Sequence, residues 1–226
     1  MKKSIILLAF GLVFYSGIGQ NGTAEAIALE KEILRSAKNM GDPAVVTMTM
    51  YRLIALEGAN STYTDSLAFV YFSSRKYAPC FLMTNEVLKR DPTNQPMLEL
   101  KGISLESLGA LDKSMEVYQE LYALSKNNFH GYNLAKLQLG MRKFDEAYKT
   151  IKEVEGLNDS GKYKVTFSIN QNHTQQVELL AAIPYLKGLI EEELNKKPEA
   201  KVSYAKALKI QGDFVLAKEK LDGLGQ

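Results

Sequence analysis

The chain has 226 residues, of which 46% are hydrophobic and 24% charged, so it is long and apolar enough to fold around a buried core. Its 28 basic and 26 acidic residues give a formal net charge of +2, too small to supply the attraction behind most nucleic-acid binding. The single cysteine excludes an intrachain disulfide.

The first twenty residues have the three parts of a secretory signal peptide. Two lysines begin the segment, an apolar run over 5–15 follows, and Gly17 and Gly19 are the small residues before a cleavage site at Gln20. This pattern predicts a signal peptide over 1–19. The apolar run is shorter than the roughly 20 residues of a membrane-spanning helix, although an uncleaved N-terminal anchor stays an alternative.

Cleavage would also remove the two N-terminal lysines. The remaining 26 basic residues would then balance the 26 acidic ones, so the net charge of the mature chain would be zero. We therefore expect an exported, periplasmic protein that has no integral membrane segment after cleavage and does not bind nucleic acid.

A spacing of 34 or 33 residues recurs in the middle of the chain. Tyr77, Leu111 and Phe144 each follow a short turn, and a small side chain comes three residues later in each case. The small residues are Cys80, Ser114 and Ala147. A fixed period of this size is typical of stacked helical hairpins, because each hairpin buries its apolar face only against its neighbours.

Aligned on this period, the residues resemble the tetratricopeptide repeat. That family has small side chains at positions 8 and 20, which Gly102 and Ala135, and then Ser114 and Ala147, occupy here. Small residues suit these positions because helix axes approach to about 8–10 Å only where the crossing side chains are small. Pro92 is expected to end a helix, since it lacks a backbone N–H.

The resemblance implies an all-α fold, a right-handed α-α superhelix of about five helical hairpins with a C-terminal capping helix. The predicted units are 24–58, 61–94, 95–127, 128–156 and 181–212, and the capping helix is 213–223. In the first unit we expect helices over 24–39 and 43–56, with Pro43 as the first residue of the second helix. The last unit rests on Gly188 and Tyr204, at the family's positions 8 and 24.

The period breaks between the fourth and fifth units, where about 19 extra residues occur. Polar and apolar residues alternate over 164–169, which is typical of a strand. A turn-prone Asn-Gln-Asn follows, and 173–180 can return as a partner strand. The sequence therefore predicts a β-hairpin insertion over 162–180, with the next helix beginning near Ala182 and Pro184 in its first turn.

Residues that could carry out chemistry are few and scattered. His130 and His173 are the only histidines, and no His or Cys cluster has the spacing of a metal site. Cys80 would need a partner base to act as a nucleophile, and its place in the repeat is that of a buried small residue. No glycine-rich phosphate loop occurs. We therefore predict a noncatalytic protein without a cofactor or a metal ion.

In tetratricopeptide arrays the first helix of each hairpin lines a concave groove, so the resemblance implies a partner-binding groove here. The predicted groove residues are Asp65, Phe69, Phe72, Glu99, Ile103, Glu106, Phe129, Tyr132 and Lys136. Aromatic side chains would anchor a protein or peptide partner, and charged ones would tune specificity. The alternative is that Phe69, Phe72 and Tyr132 pack between repeats.

Some family members clasp a C-terminal carboxylate with a lysine and an asparagine at positions 5 and 9. Position 5 holds Asp65, Glu99 and Tyr132 here, so an acidic tail is not an expected ligand of this groove.

Two other functions stay open. Carbohydrate binding at the cell envelope is one, because some outer-membrane glycan-capturing proteins have similar helices, although this chain has no tryptophan. The other is a structural spacer whose inserted hairpin pairs through an edge strand with a partner or with a second copy.

Overall fold

The computed structural model describes the backbone of residues 6–157 and 163–225, and the side chains of those ranges from residue 22 onward. These residues form eleven helices and one two-stranded sheet, which confirms the predicted all-α repeat fold with an inserted hairpin. The predicted signal peptide over 1–19 lies outside the residues whose side chains are described. Nowhere in the described part of the chain is a helix both long and apolar enough to cross a membrane.

Five helical hairpins follow one another along the chain. The first consists of α1 (Ile6–Met40) and α2 (Pro43–Glu57), and the second of α3 (Tyr63–Ser73) and α4 (Tyr77–Arg90). The third consists of α5 (Gln95–Ser107) and α6 (Leu111–Ser125), and the fourth of α7 (Asn128–Gly140) and α8 (Phe144–Glu155). The fifth consists of α9 (Leu179–Glu193) and α10 (Lys197–Ile210), and α11 (Val215–Gly223) follows it. The chain divides into two compact units, 1–104 and 105–226.

Two helix starts differ from the sequence prediction. α1 begins at Ile6 rather than near Ala24, because no proline interrupts the stretch between them. α9 begins at Leu179 rather than near Ala182, and the full burial of Leu179 favours this earlier start. Pro184 therefore lies inside α9 and not in its first turn.

Each of the five hairpins turns through one residue in the left-handed region of backbone space. These residues are Gly41, Arg75, Gly109, Arg142 and Asn195, with φ between 55° and 78°. In every case the N–H of the next residue donates to the carbonyl five residues before it, at 2.8–2.9 Å, as in a Schellman motif. The second helix then starts one residue later. The period seen in the sequence is thus the spacing of one turn geometry.

The small residues near the start of the second helices are fully buried, as the repeat pattern predicts. They are Cys80, Ser114, Ala147 and Ala200. Burial raises the pKa of the free Cys80 thiol, so this cysteine packs as a small apolar residue and is not activated as a nucleophile.

The inserted hairpin consists of β1 (Lys164–Ser168) and β2 (Thr174–Glu178), which pair antiparallel with Thr166 opposite Gln176. Phe167 of β1 points toward the helices, and its ring centroid lies 5.4 Å from that of Tyr185 and 5.1 Å from that of Phe214. Aromatic packing of this kind ties the hairpin to α9 and to the residue that precedes α11.

Glycine permits a close approach between α9 and α10. A Cβ atom added at Gly188 would lie 2.5 Å from the ring of Tyr204, a side chain that is fully buried. Such a distance cannot be accommodated unless the ring or the helix moves. Gly140, at the end of α7, has no atom within 4 Å of its added Cβ.

We predict that Gly188→Ala lowers the free energy of unfolding by about 1–3 kcal/mol, because the new methyl group overpacks the crossing. Gly140→Ala is the matched control and should leave stability unchanged or raise it by up to about 1 kcal/mol, since alanine is the better helix former. Urea unfolding followed by circular dichroism measures both. Equal destabilisation by the two substitutions would refute the close-crossing interpretation.

Candidate partner-binding surface

In the first compact unit, three predicted groove residues lie along one side of α3. Asp65, Phe69 and Phe72 are spaced four and three positions apart, so they share a helical face. The side chain of Phe69 is 48% exposed. Phe72 is half-buried against the core cluster around Cys80, and its ring meets that of Tyr77 edge-on at 6.3 Å. Phe69 is therefore available to a partner, whereas Phe72 is partly committed to packing.

Asp65 forms an ion pair with Arg90, the last residue of α4. The Arg90 guanidinium also donates to the carbonyl oxygens of Ala59, at 3.2 Å, and Ser61, at 2.9 Å. Arg90 thus fastens the loop between α2 and α3 to the end of α4. Asp65 serves this structural contact, which reduces its availability for the specificity role that the sequence predicts.

The α5 residues of the first unit lie beside this face. Glu99 and Ile103 are both half-buried, while Met97 and Leu100 of the same helix are buried with Ala68 of α3. Both helices therefore pack into the same core cluster, together with Cys80 and Val87 of α4. Phe69, Phe72, Glu99 and Ile103 form the first-helix wall of this unit, a name kept below.

In the second compact unit, Glu106 and Lys136 lie together. Their charged atoms are 3.1 Å apart, joining α5 to α7, and both side chains are partly exposed. A pair of this kind contributes no more than about 1 kcal/mol, because solvent screens it. Both charges remain within reach of a ligand.

The two aromatic predictions on α7 have different outcomes. Tyr132 is only 3% exposed, and burial raises the pKa of its hydroxyl. Its assignment to an accessible groove is therefore wrong for this structure, and the packing alternative applies. Phe129 is half-buried because its ring stacks on that of Tyr163, with centroids 4.7 Å apart and planes 11° from parallel.

A second candidate surface is the outer edge of β1. The hydrogen bonds between the two strands continue beyond both ends of β1. Tyr163 accepts from the N–H of Leu179, and Ile169 donates to the carbonyl of His173. Because bonded residues alternate along an antiparallel strand, Lys164, Thr166 and Ser168 direct their backbone N–H and C=O groups away from β2. Within the described ranges, no backbone group bonds to this edge.

The outer edge of β2, in contrast, is occupied. The side-chain amide of Gln211 donates to the carbonyl of Gln176, at 3.2 Å, and accepts from the N–H of Glu178, at 3.0 Å. The side-chain amide of Gln175 donates to the carbonyl of Asp213, at 2.6 Å, and accepts from the N–H of Val215, at 3.1 Å. One edge of the hairpin is thus covered by the chain itself.

Sequence reasoning did not single out Arg90, Gln175 or Gln211. Each acts on residues 25 to 40 positions away, so no local pattern marks them. As for metal sites, the described residues contain no group of three or more His, Cys, Asp or Glu side chains that could hold an ion.

Comparisons with known proteins agree with the helical-hairpin geometry. Residues 183–214 match the family model of the tetratricopeptide repeat. No curated protein matches the sequence.

Several solved structures share the fold at low sequence identity. YrrB, described as a tetratricopeptide protein with an unusual peptide-binding site, is 18% identical, with 87% of this chain and 96% of that chain covered and a TM-score of 0.66. A tetratricopeptide repeat protein from Parabacteroides merdae is 13% identical, with coverages of 88% and 72% and a TM-score of 0.67. MamA from Desulfovibrio magneticus RS-1 is 12% identical, with coverages of 83% and 96% and a TM-score of 0.63.

We predict that Arg90→Ala lowers the free energy of unfolding by about 1.5–3 kcal/mol, because it removes the charge-assisted bonds to Asp65 and to two carbonyl oxygens. Lys89→Ala is the control. Lys89 is exposed and forms its ion pair with Glu86 on its own helix, so its loss should cost no more than about 0.5 kcal/mol. Chemical denaturation compares the two variants, and a similar cost for both would contradict a structural role for Arg90.

Proposed function

We propose that this chain, which has the helical-hairpin fold of tetratricopeptide-repeat proteins, is an exported, noncatalytic scaffold that binds a protein or peptide partner on its first-helix wall. Export rests on the signal-peptide pattern over 1–19. The observation that carries the binding proposal is Phe69, a large aromatic side chain left 48% exposed on the first helix of a hairpin. Aromatic side chains in such positions are common anchors at interfaces.

The surroundings of Phe69 suit an anchor. Phe72, three residues along α3, is held in place by its contact with Tyr77, so the apolar face next to Phe69 is preformed. Covering the exposed half of a phenylalanine contributes on the order of 1 kcal/mol. A specific partner must therefore contact more of the wall than this ring, including Ile103 on α5.

The peptide-binding site named for YrrB supports the proposal by analogy of fold, since the two chains share the hairpin architecture. In the second unit, the paired Glu106 and Lys136 would bias which charged residues a partner presents there.

We predict that Phe69→Ser reduces the recovery of partners crosslinked in a cell-envelope fraction, while circular dichroism shows an unchanged helix content. Leu82→Ser is the matched control, because Leu82 lies on α4, a second helix, and is 57% exposed. It removes similar apolar surface away from the wall and should leave recovery unchanged. Equal recovery with both variants would contradict binding at the first-helix wall.

A second candidate function is strand pairing between two copies of the chain. The observation that favours it is the difference between the two edges of the hairpin. Gln211 bonds to the β2 edge, whereas no backbone group of the described residues bonds to the β1 edge. An antiparallel pair centred on Thr166 would place Lys164 opposite Ser168 of the second copy, so no like charges would meet.

We predict for this candidate that Thr166→Pro abolishes self-association, because proline removes the outward N–H at the centre of the edge. Thr166→Val keeps that N–H and should associate as the unchanged protein does. Sedimentation velocity over a range of concentrations measures both variants. If Thr166→Pro associates normally, the hairpin is only a connector between helices.

A further inference from the structure

The first compact unit contains an open pocket of about 680 Å³ between α2 and the C-terminal end of α3. This volume lies in the range of about 300–1,000 Å³ that is typical of ligand sites. Tyr51 of α2, Tyr71 of α3 and Lys76, just before α4, are among the residues that line it. At about 100° per residue, Tyr71 lies roughly opposite Phe69 around α3. The pocket is therefore separate from the first-helix wall.

Apolar surface is concentrated in this pocket. Met48 is 54% exposed and Tyr51 is 43% exposed, and both lie among the residues that line it. Val70 adds a further apolar side chain, and the small Ala44 and Ala55 leave the space open. An apolar side chain of a ligand that enters the pocket would remove this exposed apolar surface from water, which favours binding.

The polar groups of the pocket are mainly hydrogen-bond donors. The hydroxyl oxygens of Tyr51 and Tyr71 are 2.9 Å apart, so the pair uses one O–H internally and keeps one to donate. Burial raises the pKa of Tyr71 to about 12, which keeps this hydroxyl protonated at neutral pH. Arg52 bonds Glu30 at 2.8 Å through one nitrogen and retains further N–H groups.

The charged side chains that line the pocket are both basic. They are Lys76 and Arg52, and Arg52 is already paired with the buried Glu30, which lies outside the lining. Donors and positive charge next to exposed apolar surface are complementary to a carboxylate that adjoins an apolar side chain.

We propose that this pocket binds a peptide segment in which a carboxylate lies next to an apolar side chain. The carboxylate contacts Lys76 and Arg52 and accepts from the tyrosine pair, while the apolar side chain covers Met48. A glutamate side chain and a free C-terminus offer the same chemistry, and the experiment below distinguishes them. The site is independent of the first-helix wall, whose acidic residue Glu99 does not suit such a ligand.

The methyl group of Met48 provides a direct reporter. The purified protein labelled at its methionine methyl groups with carbon-13 gives one NMR signal for each, and Met48→Leu assigns the relevant one. Met115, which is buried in the other unit, serves as an internal reference. Three peptides are titrated: an amidated peptide with a glutamate between two leucines, its glutamine counterpart, and a peptide without charged side chains that ends in leucine with a free carboxylate.

We expect at least one of the two carboxylate peptides to shift the Met48 signal in a saturable manner, whereas the glutamine peptide binds at least about tenfold more weakly. A response to the first alone indicates a side-chain carboxylate, and a response to the third alone indicates a C-terminus. Lys76→Glu should weaken the binding by about tenfold. Lys143→Glu is the matched control. Lys143 holds the same turn position in the fourth hairpin, so this substitution makes the same change of charge away from the pocket.

Equal binding of the glutamate and glutamine peptides, no response to either carboxylate peptide, or equal effects of Lys76→Glu and Lys143→Glu would overturn the proposal. So would a Met48 shift produced by a neutral oligosaccharide such as maltohexaose in place of the peptides. Phe69→Ser should leave the Met48 titration unchanged. A failure at this pocket therefore leaves the first-helix wall untouched, and loss of the titration in Phe69→Ser would place the peptide on the wall instead.

Discussion

Each helical hairpin of this protein depends on one left-handed residue between its two helices. That residue lets the next N–H reach back to the carbonyl five positions before it, which ends the first helix and fixes where the second begins. The geometry recurs at Arg75, Arg142 and Asn195, although a side chain in this conformation costs about 1 kcal/mol or more. The turn therefore places small residues such as Cys80 and Ala147 at the helix crossings, where burial offsets this cost.

The turn constrains the residues at the crossings and leaves the remaining faces of the helices free to vary. In the first unit, one face of α3 presents Phe69, and the opposite face contributes Tyr71 to the lining of the pocket between α2 and α3. In the second unit, the inserted hairpin occupies part of the surface, because Tyr163 stacks on Phe129. One repeat geometry thus supports surfaces of different chemistry along the chain.

The sequence was sufficient to predict the hairpins because the turn imposes the same demands on the chain, every 33 or 34 residues through the first four hairpins and again after the insertion. It also predicted the inserted strands, whose alternation reflects Phe167 packing inward beside outward polar residues. The sequence could not decide between groove and core for Tyr132, because on a helix the residues facing the two are one position apart. The roles of Arg90 and Gln211 could not be predicted, because the backbone carbonyl groups that they bond are distant in the sequence and carry no sequence signal.

The face of α3 that carries Phe69 is proposed to recognise a partner. Site-specific photocrosslinking in intact cells tests this recognition most directly, with a benzophenone side chain placed at position 69 in one variant and at position 82 in another. We expect position 69 to capture one predominant partner that position 82 does not, because only the first lies on the first-helix wall. The same partners at both positions, or none at position 69, would contradict the claim.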